Sequence, residues 1–327
     1  MRKKIIISSL FFLFLVKFST GQDIHFSQFD INPVLLNPAH LGFLDSKGRF
    51  GTIYRNQWSS VETPYRTFAF TGEWSTYKRR YYGDGINLGL ILTTDEAGAL
   101  NYGNTQCNAV VSYFRSLNNF SNHFISVGAS LGIGQQSFNS ANAILPEQDE
   151  NFETTNAKYA DLSLGIAWLY NPNDNLSLKM GVNANHLNSP NISYMGLDEA
   201  YLHPNVGIYG RVEIYAGNEF YILPSGIYKF QHTYNEIIYG SNFKWYPPGY
   251  SYNLSFNGGL FFRHSDAIIL SLGLEFDNFI LGTSYDINIS DLHVGSNGKG
   301  GFEIALLYRL ITNKSKHQKV IPCPTFL

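Results

Sequence analysis

Leu176-Ser177-Leu178-Lys179-Met180-Gly181-Val182-Asn183-Ala184-Asn185 alternates without a break. Leu176, Leu178, Met180, Val182 and Ala184 share one parity, and the small, polar or charged residues take the other. A period of two puts successive side chains on opposite faces of a strand, whereas a helix brings together every third and fourth residue. The same alternation runs through 161–170, where Leu162, Leu164, Ile166, Trp168 and Tyr170 interleave with Asp161, Ser163, Gly165 and Ala167. It returns in 268–275, 279–288 and 302–310.

Working outward from these runs, fourteen candidate strands begin near Arg49, Arg66, Asp84, Thr105, His123, Tyr159, Asn175, Pro204, Glu219, Glu236, Ser251, Ala267, Asn278 and Lys299. Most are about ten residues long, the reach of a tilted membrane strand. The expected fold is therefore all-β: a transmembrane antiparallel β-barrel of about 14 strands. If the chain enters from the periplasm, turns such as those near Pro172, Gly217 and Asp277 are short. Several opposite connections, at 94–104, 135–158, 187–203 and 288–298, are long. Short periplasmic turns and long external loops are the barrel asymmetry.

Composition supports a barrel over a soluble sandwich. Only 15% of residues are charged and 16% are aromatic, against about 25% charged in an average soluble domain. Mean hydropathy is near zero, because lipid-facing and lumen-facing residues cancel in any average. The net charge of −2 supplies no field for nucleic acid. Arg55, Glu73, Lys179, Arg211, Glu213, Lys244, Arg263, Glu275, Asp286, Glu303 and Arg309 all fall on the less apolar parity of their strands. A charge facing lipid at mid-depth costs roughly 2–4 kcal/mol for Arg or Lys, so these side chains belong in the lumen. Both signs occur there, which predicts pairing across the lumen rather than a filter of one sign. Trp58, Trp74, Trp168 and Trp245 suit the aromatic girdles at the membrane surfaces.

Four regions are expected. Residues 1–21 read as a secretory signal: Arg2, Lys3 and Lys4 precede an apolar run, and Ser19-Thr20-Gly21 offers a cleavage site. Residues 22–48 read as an N-terminal periplasmic or plug-like segment, in which Pro33 and Pro38 force extended or turn backbone on the preceding Asn. Residues 49–310 form the barrel. Residues 311–327, with Pro322 and Pro324, read as a periplasmic C-terminal tail. No Gly-x-Ser-x-Gly elbow, His-Glu-x-x-His, phosphate loop or paired-Cys metal spacing occurs. No enzyme activity, cofactor or metal is expected. Cys107 and Cys323 follow no metal or redox spacing.

The densest pattern lies at 25–58. Phe26-Ser27-Gln28-Phe29, Asn32-Pro33, Asn37-Pro38-Ala39 and Gly42 precede Tyr54-Arg55-Asn56-Gln57-Trp58, and the chain closes with Pro322-Cys323-Pro324 and Phe326. In these residues the chain resembles the PorP/SprF family of the type IX secretion and gliding system. Thr325 stands where that family commonly has Arg. The resemblance implies a non-enzymatic barrel of the Gram-negative cell outer membrane, surrounded by lipid. It also implies periplasmic or lipoprotein partners of the type IX system, and a secreted cargo, such as an adhesin, with a type IX C-terminal domain. Asn32, Pro33, Asn37, Pro38, Tyr54, Arg55, Asn56, Gln57, Trp58, Pro322, Cys323 and Pro324 become the candidate partner-binding or plug residues. Asn-Pro-Ala also occurs near the start of FadL-like transporters of hydrophobic small molecules, which is the alternative function. An apolar lumen cavity would favour that alternative.

Overall fold

Fourteen antiparallel strands close on themselves, with the first strand hydrogen-bonded to both the second and the last. The computed structural model describes residues 23–57, 64–79, 83–98, 102–118, 122–138, 156–193, 200–249, 253–290 and 298–311. The strands are β1 (Gly48–Gln57), β2 (Tyr65–Arg79), β3 (Asp84–Ala97), β4 (Tyr102–Ser116), β5 (His123–Ser137), β6 (Asn156–Asn173) and β7 (Leu176–Asn185). The second half comprises β8 (Asn205–Gly217), β9 (Phe220–Gln231), β10 (Tyr234–Trp245), β11 (Leu254–Arg263), β12 (Ala267–Phe276), β13 (Phe279–Asn288) and β14 (Lys299–Leu310). Each expected strand is present. Several are longer than expected, with β6 reaching 18 residues. The signal stretch 1–21 and the tail from 312 onward lie outside the described residues.

Closure removes every sheet edge, which lets a β-structure sit in lipid with all its backbone groups paired. The connections at 174–175, 218–219 and 277–278 are tight turns, and all lie at the end where β1 starts. The long connections 138–155, 186–204 and 289–298 lie at the other end. By the barrel asymmetry, the turn end faces the periplasm and the loop end faces outside.

The outward face is apolar and banded. Leu131, Leu164, Val182 and Leu272 are exposed between two aromatic belts. The belt at the turn end includes Phe50 against Trp74, Trp168 against Tyr170 and Trp245 against Phe256. The belt at the loop end includes Tyr54, Phe68, Phe302, and Tyr239 against Phe262. Three of the four tryptophans thus stand where girdle residues were expected, and Trp58 lies outside the described residues. Pro224 cannot donate to a ladder, and β8–β9 pairing is interrupted between Arg211–Ser225 and Ile214–Ile222.

Candidate functional site: the lumenal segment and its seat

Residues 23–47 run down the inside of the barrel, from the loop end to the turn end. Asp23 meets His186 and Asn205, which flank the β7–β8 loop. Lys47 donates its backbone N–H to Leu310 at the turn end. Between these ends the segment forms two short 3-10 turns, Pro33–Leu35 and Pro38–Phe43. Each follows an Asn-Pro step, because proline at the first position has the right φ and lacks only an N–H that the turn leaves unbonded.

The segment gives the lumen its apolar core. Phe29 and Leu36 pack with Tyr209, Ile227, Ile238, Phe261 and Ile269. Ala39 and Phe43 pack with Phe114, Phe124, Ala167 and Leu169 on the opposite wall. Phe26 meets Ile53, Ala69 and Ala305, while Val34 and Leu41 meet Ile91 and Val110. The inward apolar residues of the wall are the counterpart of this segment and would otherwise face water.

Asn37 is the anchor on one wall. Its Oδ1 accepts from the Ala39 N–H at 2.8 Å, which caps the second turn. Its Nδ2 donates to the carbonyls of Ile166 on β6 and Val182 on β7, both at 3.1 Å. The wall is hollowed to receive it. A Cβ added at Gly165 would lie 1.9 Å from Asn37 Oδ1, and one at Gly128 would lie 2.4 Å from the backbone of Pro38 and Ala39. Gly128 and Gly165 are direct partners in the β5–β6 register. Asn32 donates to Thr71 Oγ1 at 2.8 Å. His40 is fully enclosed, and burial, reinforced by the Lys179 charge, pushes its pKa down to about 3. The ring is neutral, and its Nδ1, 3.1 Å from the Pro33 carbonyl, must carry the proton because a carbonyl only accepts.

Arg55 anchors the other wall. Its guanidinium donates to Ser27 Oγ at 2.7 Å, Asp286 at 2.9 Å and Gln57 at 3.3 Å, and it also contacts Glu303. Arg263 donates to the same Ser27 Oγ at 2.7 Å and to Asp286 at 2.9 Å. Ser27 Oγ in turn donates to Asp286 at 2.8 Å. The backbone N–H groups of Ser27 and Gln28 donate to the Glu303 carboxylate at 2.6 and 3.0 Å. Glu236 lies 3.2 Å from Arg263 and 3.9 Å from Lys229. Three cations thus face three carboxylates, nearly all enclosed. Such a cluster is stable only when each charge is paired and hydrogen-bonded, and Ser27 supplies bonds the wall alone lacks.

A third tie holds the segment's start. His186, in the left-handed region at φ 57°, sits between Asp161 at 2.8 Å and Asp23 at 3.1 Å. Burial alone would lower the imidazole, but the two carboxylates override it and push its pKa up to about 10. Burial likewise opposes the Asp23 charge, yet His186 holds that carboxyl well below its usual range.

The predicted site residues therefore divide. Asn32, Pro33, Asn37, Pro38, Arg55 and Gln57 converge on the lumen. Tyr54 faces outward in the loop-end belt, and Asn56 shares its parity. Trp58, Pro322, Cys323 and Pro324 lie outside the described residues. All eleven charges assigned to the lumen by parity are there, and the expected pairing is widespread: Arg49–Glu73, Arg55–Asp286, Lys244–Glu275 and Arg309–Glu275 are examples. Ser27 was visible in the Phe-Ser-Gln-Phe motif, but its hub role was not, nor were those of Asp23, His186 and the receiving glycines. Cys107 is a free thiol.

Residues 18–308 match the family described as type IX secretion system membrane protein PorP/SprF. The chain belongs to the PorP/SprF family. It is accordingly a membrane protein of the type IX system, located in the outer membrane, with the fold of a secretion or transport barrel and not of an enzyme. No curated protein matches the chain. Among solved structures, the Ralstonia pickettii toluene transporter TbuX is similar at TM-score 0.51 and 8% identity, covering 86% of this chain and 94% of its own. A monoaromatic hydrocarbon channel, TodX in a mutant form, is similar at TM-score 0.51 and 10% identity, covering 84% and 93%. At such identities the likeness extends to the outer-membrane barrel fold. The motifs of this PorP/SprF chain that drew attention in the sequence are largely the contact points between segment and wall.

Proposed function

We propose that this PorP/SprF protein acts by binding other proteins: it is the outer-membrane partner through which one secreted cargo, such as an adhesin, is exported or held at the surface. In this reading residues 22–48 are a permanent plug, and residues 311–327 are a periplasmic tail that meets other components of the type IX system. The observation that carries it is the seat of Ser27. A buried cluster of Arg55, Arg263, Asp286 and Glu303 is completed by the segment, which suits a fixed filling better than a gate that opens at each passage. A barrel filled in this way contributes surfaces rather than a conduit.

The alternative, a transporter of hydrophobic small molecules, draws on the fold it shares with the toluene transporter. The larger lumen cavity, about 260 Å³, is lined by Arg49, Lys179, Arg211, Glu213, Lys244 and Glu275 among others, which favours polar over apolar contents. A second cavity of about 100 Å³ beside Phe26, Val34 and Ile91 is well below the size of a drug-like ligand site, roughly 300–1,000 Å³. The test is a clean gene deletion, scored for surface display of an adhesin cargo by immunofluorescence. Loss of display with normal membrane levels of other barrels is expected. Normal display would refute the reading, and impaired uptake of an aromatic hydrocarbon instead would favour the alternative.

A further inference from the structure

The lumenal segment fills the barrel unevenly. Its second 3-10 turn packs against β3 to β7, which leaves a cavity of about 260 Å³ between residues 27–33 and the wall from β7 to β14 and on to Arg49 of β1. Toward the loop end the cavity is bounded by the buried Ser27–Arg55–Asp286 cluster. Toward the turn end it is flanked by Asp45, Arg309 and Tyr246, the last just beyond the end of β10.

The charges of this cavity are not all matched. Arg49 is held by a two-point bond to Glu73, at 2.8 and 2.7 Å. Lys244 and Arg309 share Glu275, at 2.7 and 3.5 Å. Arg211 reaches Glu213 at 3.4 Å and also feels the charge of Asp30, whose carboxylate oxygens accept from Tyr209 and Ser225. Among the described residues no carboxylate lies within ion-pair distance of Lys179. Its ammonium stands 5.9 Å from the centre of the Phe43 ring, and in the β7–β8 register Lys179 lies directly opposite Arg211. Like charges directly opposed on one face of a sheet destabilise it. Desolvating them partly, as this lumen does, worsens the repulsion. An anion bridging the pair would relieve it.

We propose that Lys179 and Arg211 form a binding site for a carboxylate that enters from the turn end of the barrel. Glu213, Glu275 and Asp30 line the same cavity and disfavour a dianion such as phosphate, so the ligand is a monoanion. Those acceptors, with Asn242, Asn257, Ser177 and Ser271, suit N–H donors beside the carboxylate. The ligand chemistry is that of an N-acylated amino acid, supplied either as a free small acid or as the end of a peptide chain. The site rests on the lumen geometry and does not depend on the proposed role in secretion.

The test uses the full-length protein in detergent micelles and isothermal titration calorimetry with four probes: N-acetylglycine, an N-acetylated tetrapeptide with a free carboxylate, the same tetrapeptide as its C-terminal amide, and inorganic phosphate. Either acid, or both, should bind, with the preferred one naming the source. The amide should bind ~10- to 100-fold more weakly than the acid, the value of a charged hydrogen bond. Lys179→Gln should weaken acid binding by a similar factor while the unliganded barrel melts no lower than the parent. Arg211→Gln is the second variant, should Lys179→Gln fail to assemble. Equal binding of acid and amide, no binding of either acid, or tighter binding of phosphate overturns the proposal.

Discussion

Replacing Gly128 by alanine should lift the lumenal segment off its seat while leaving the barrel closed. The new Cβ would lie 2.4 Å from the Ala39 nitrogen and the Pro38 carbonyl carbon, and 2.6 Å from the Pro38 oxygen. These are backbone atoms, so no rotamer change removes the clash. Ordinary contacts between carbon atoms lie near 3.5–4.0 Å, so the segment must withdraw by about 1 Å. That movement stretches the bonds from Asn37 to the Ile166 and Val182 carbonyls, both 3.1 Å, and the 2.7 Å bond from Asn87 to the Leu41 carbonyl. Three such bonds at about 1 kcal/mol each amount to about 3 kcal/mol, or roughly a hundredfold in the undocked population. Hydrogen exchange read by mass spectrometry reports that population directly. Amides of residues 35–44 should exchange roughly a hundredfold faster, with the amides of β5 and β6 unchanged. Gly210→Ala is the control, because its Cβ meets nothing within 4 Å. Unchanged protection of residues 35–44 in Gly128→Ala, or equal loss across the strands, would refute the idea that the segment is seated by close approach to this glycine.

Arg55→Ala leaves Glu303 without its cation, while Asp286 keeps Arg263; removing one partner of a buried pair costs on the order of 3–5 kcal/mol. A heat-modified gel shift should show an assembled but less stable barrel, and cargo display should fall further than the membrane level of the protein. Pro33→Ala should behave in the same sense but more mildly, since it loosens only one turn. His186 makes stability depend on pH from the point where an unfolded histidine loses its proton. Its raised folded pKa means its contribution is complete below about 6.5, declines steadily above that, and is gone once pH passes about 10. The depressed Asp23 contribution is complete above about 3.8 and fades as pH falls below it. With respect to this tie, melting temperature should therefore be flat from about pH 5 to about pH 6 and fall steadily above that, and His186→Gln should lower it most below about pH 6.5 and progressively less as pH rises. Leu131→Lys, on the outward face of β5, should lower stability by roughly 2–4 kcal/mol in bilayer refolding assays, whereas Ser130→Ala on the inward face should change it little.

Chain order alone settled a good deal. The strict alternation of 176–185 and its counterparts specified strands with two different faces, because a period of two can satisfy lipid and lumen at once. The same parity placed Arg55, Lys179 and Glu303 inside, since a charge in lipid is too costly to be arranged otherwise. The number of alternating runs, set against turn clusters, yielded the strand count. Asn37-Pro38 also announced extended or turn backbone at Asn37, because that signal is local, and Asn37 is extended.

The partners of those residues were decided by the closed barrel. Ser27 meets Glu303 and Asp286 across 276 and 259 residues of chain, and Asn37 meets carbonyls on β6 and β7. Closure, strand stagger and the path of the segment determine which inward side chains come within 3 Å, and these depend on all fourteen registers together. Parity marks Gly128 and Gly165 as inward but does not distinguish a glycine that admits the segment from one that faces open lumen. Alternation fixes which way a side chain points; which charge or backbone it meets there depends on the volume that remains once the barrel is closed and filled.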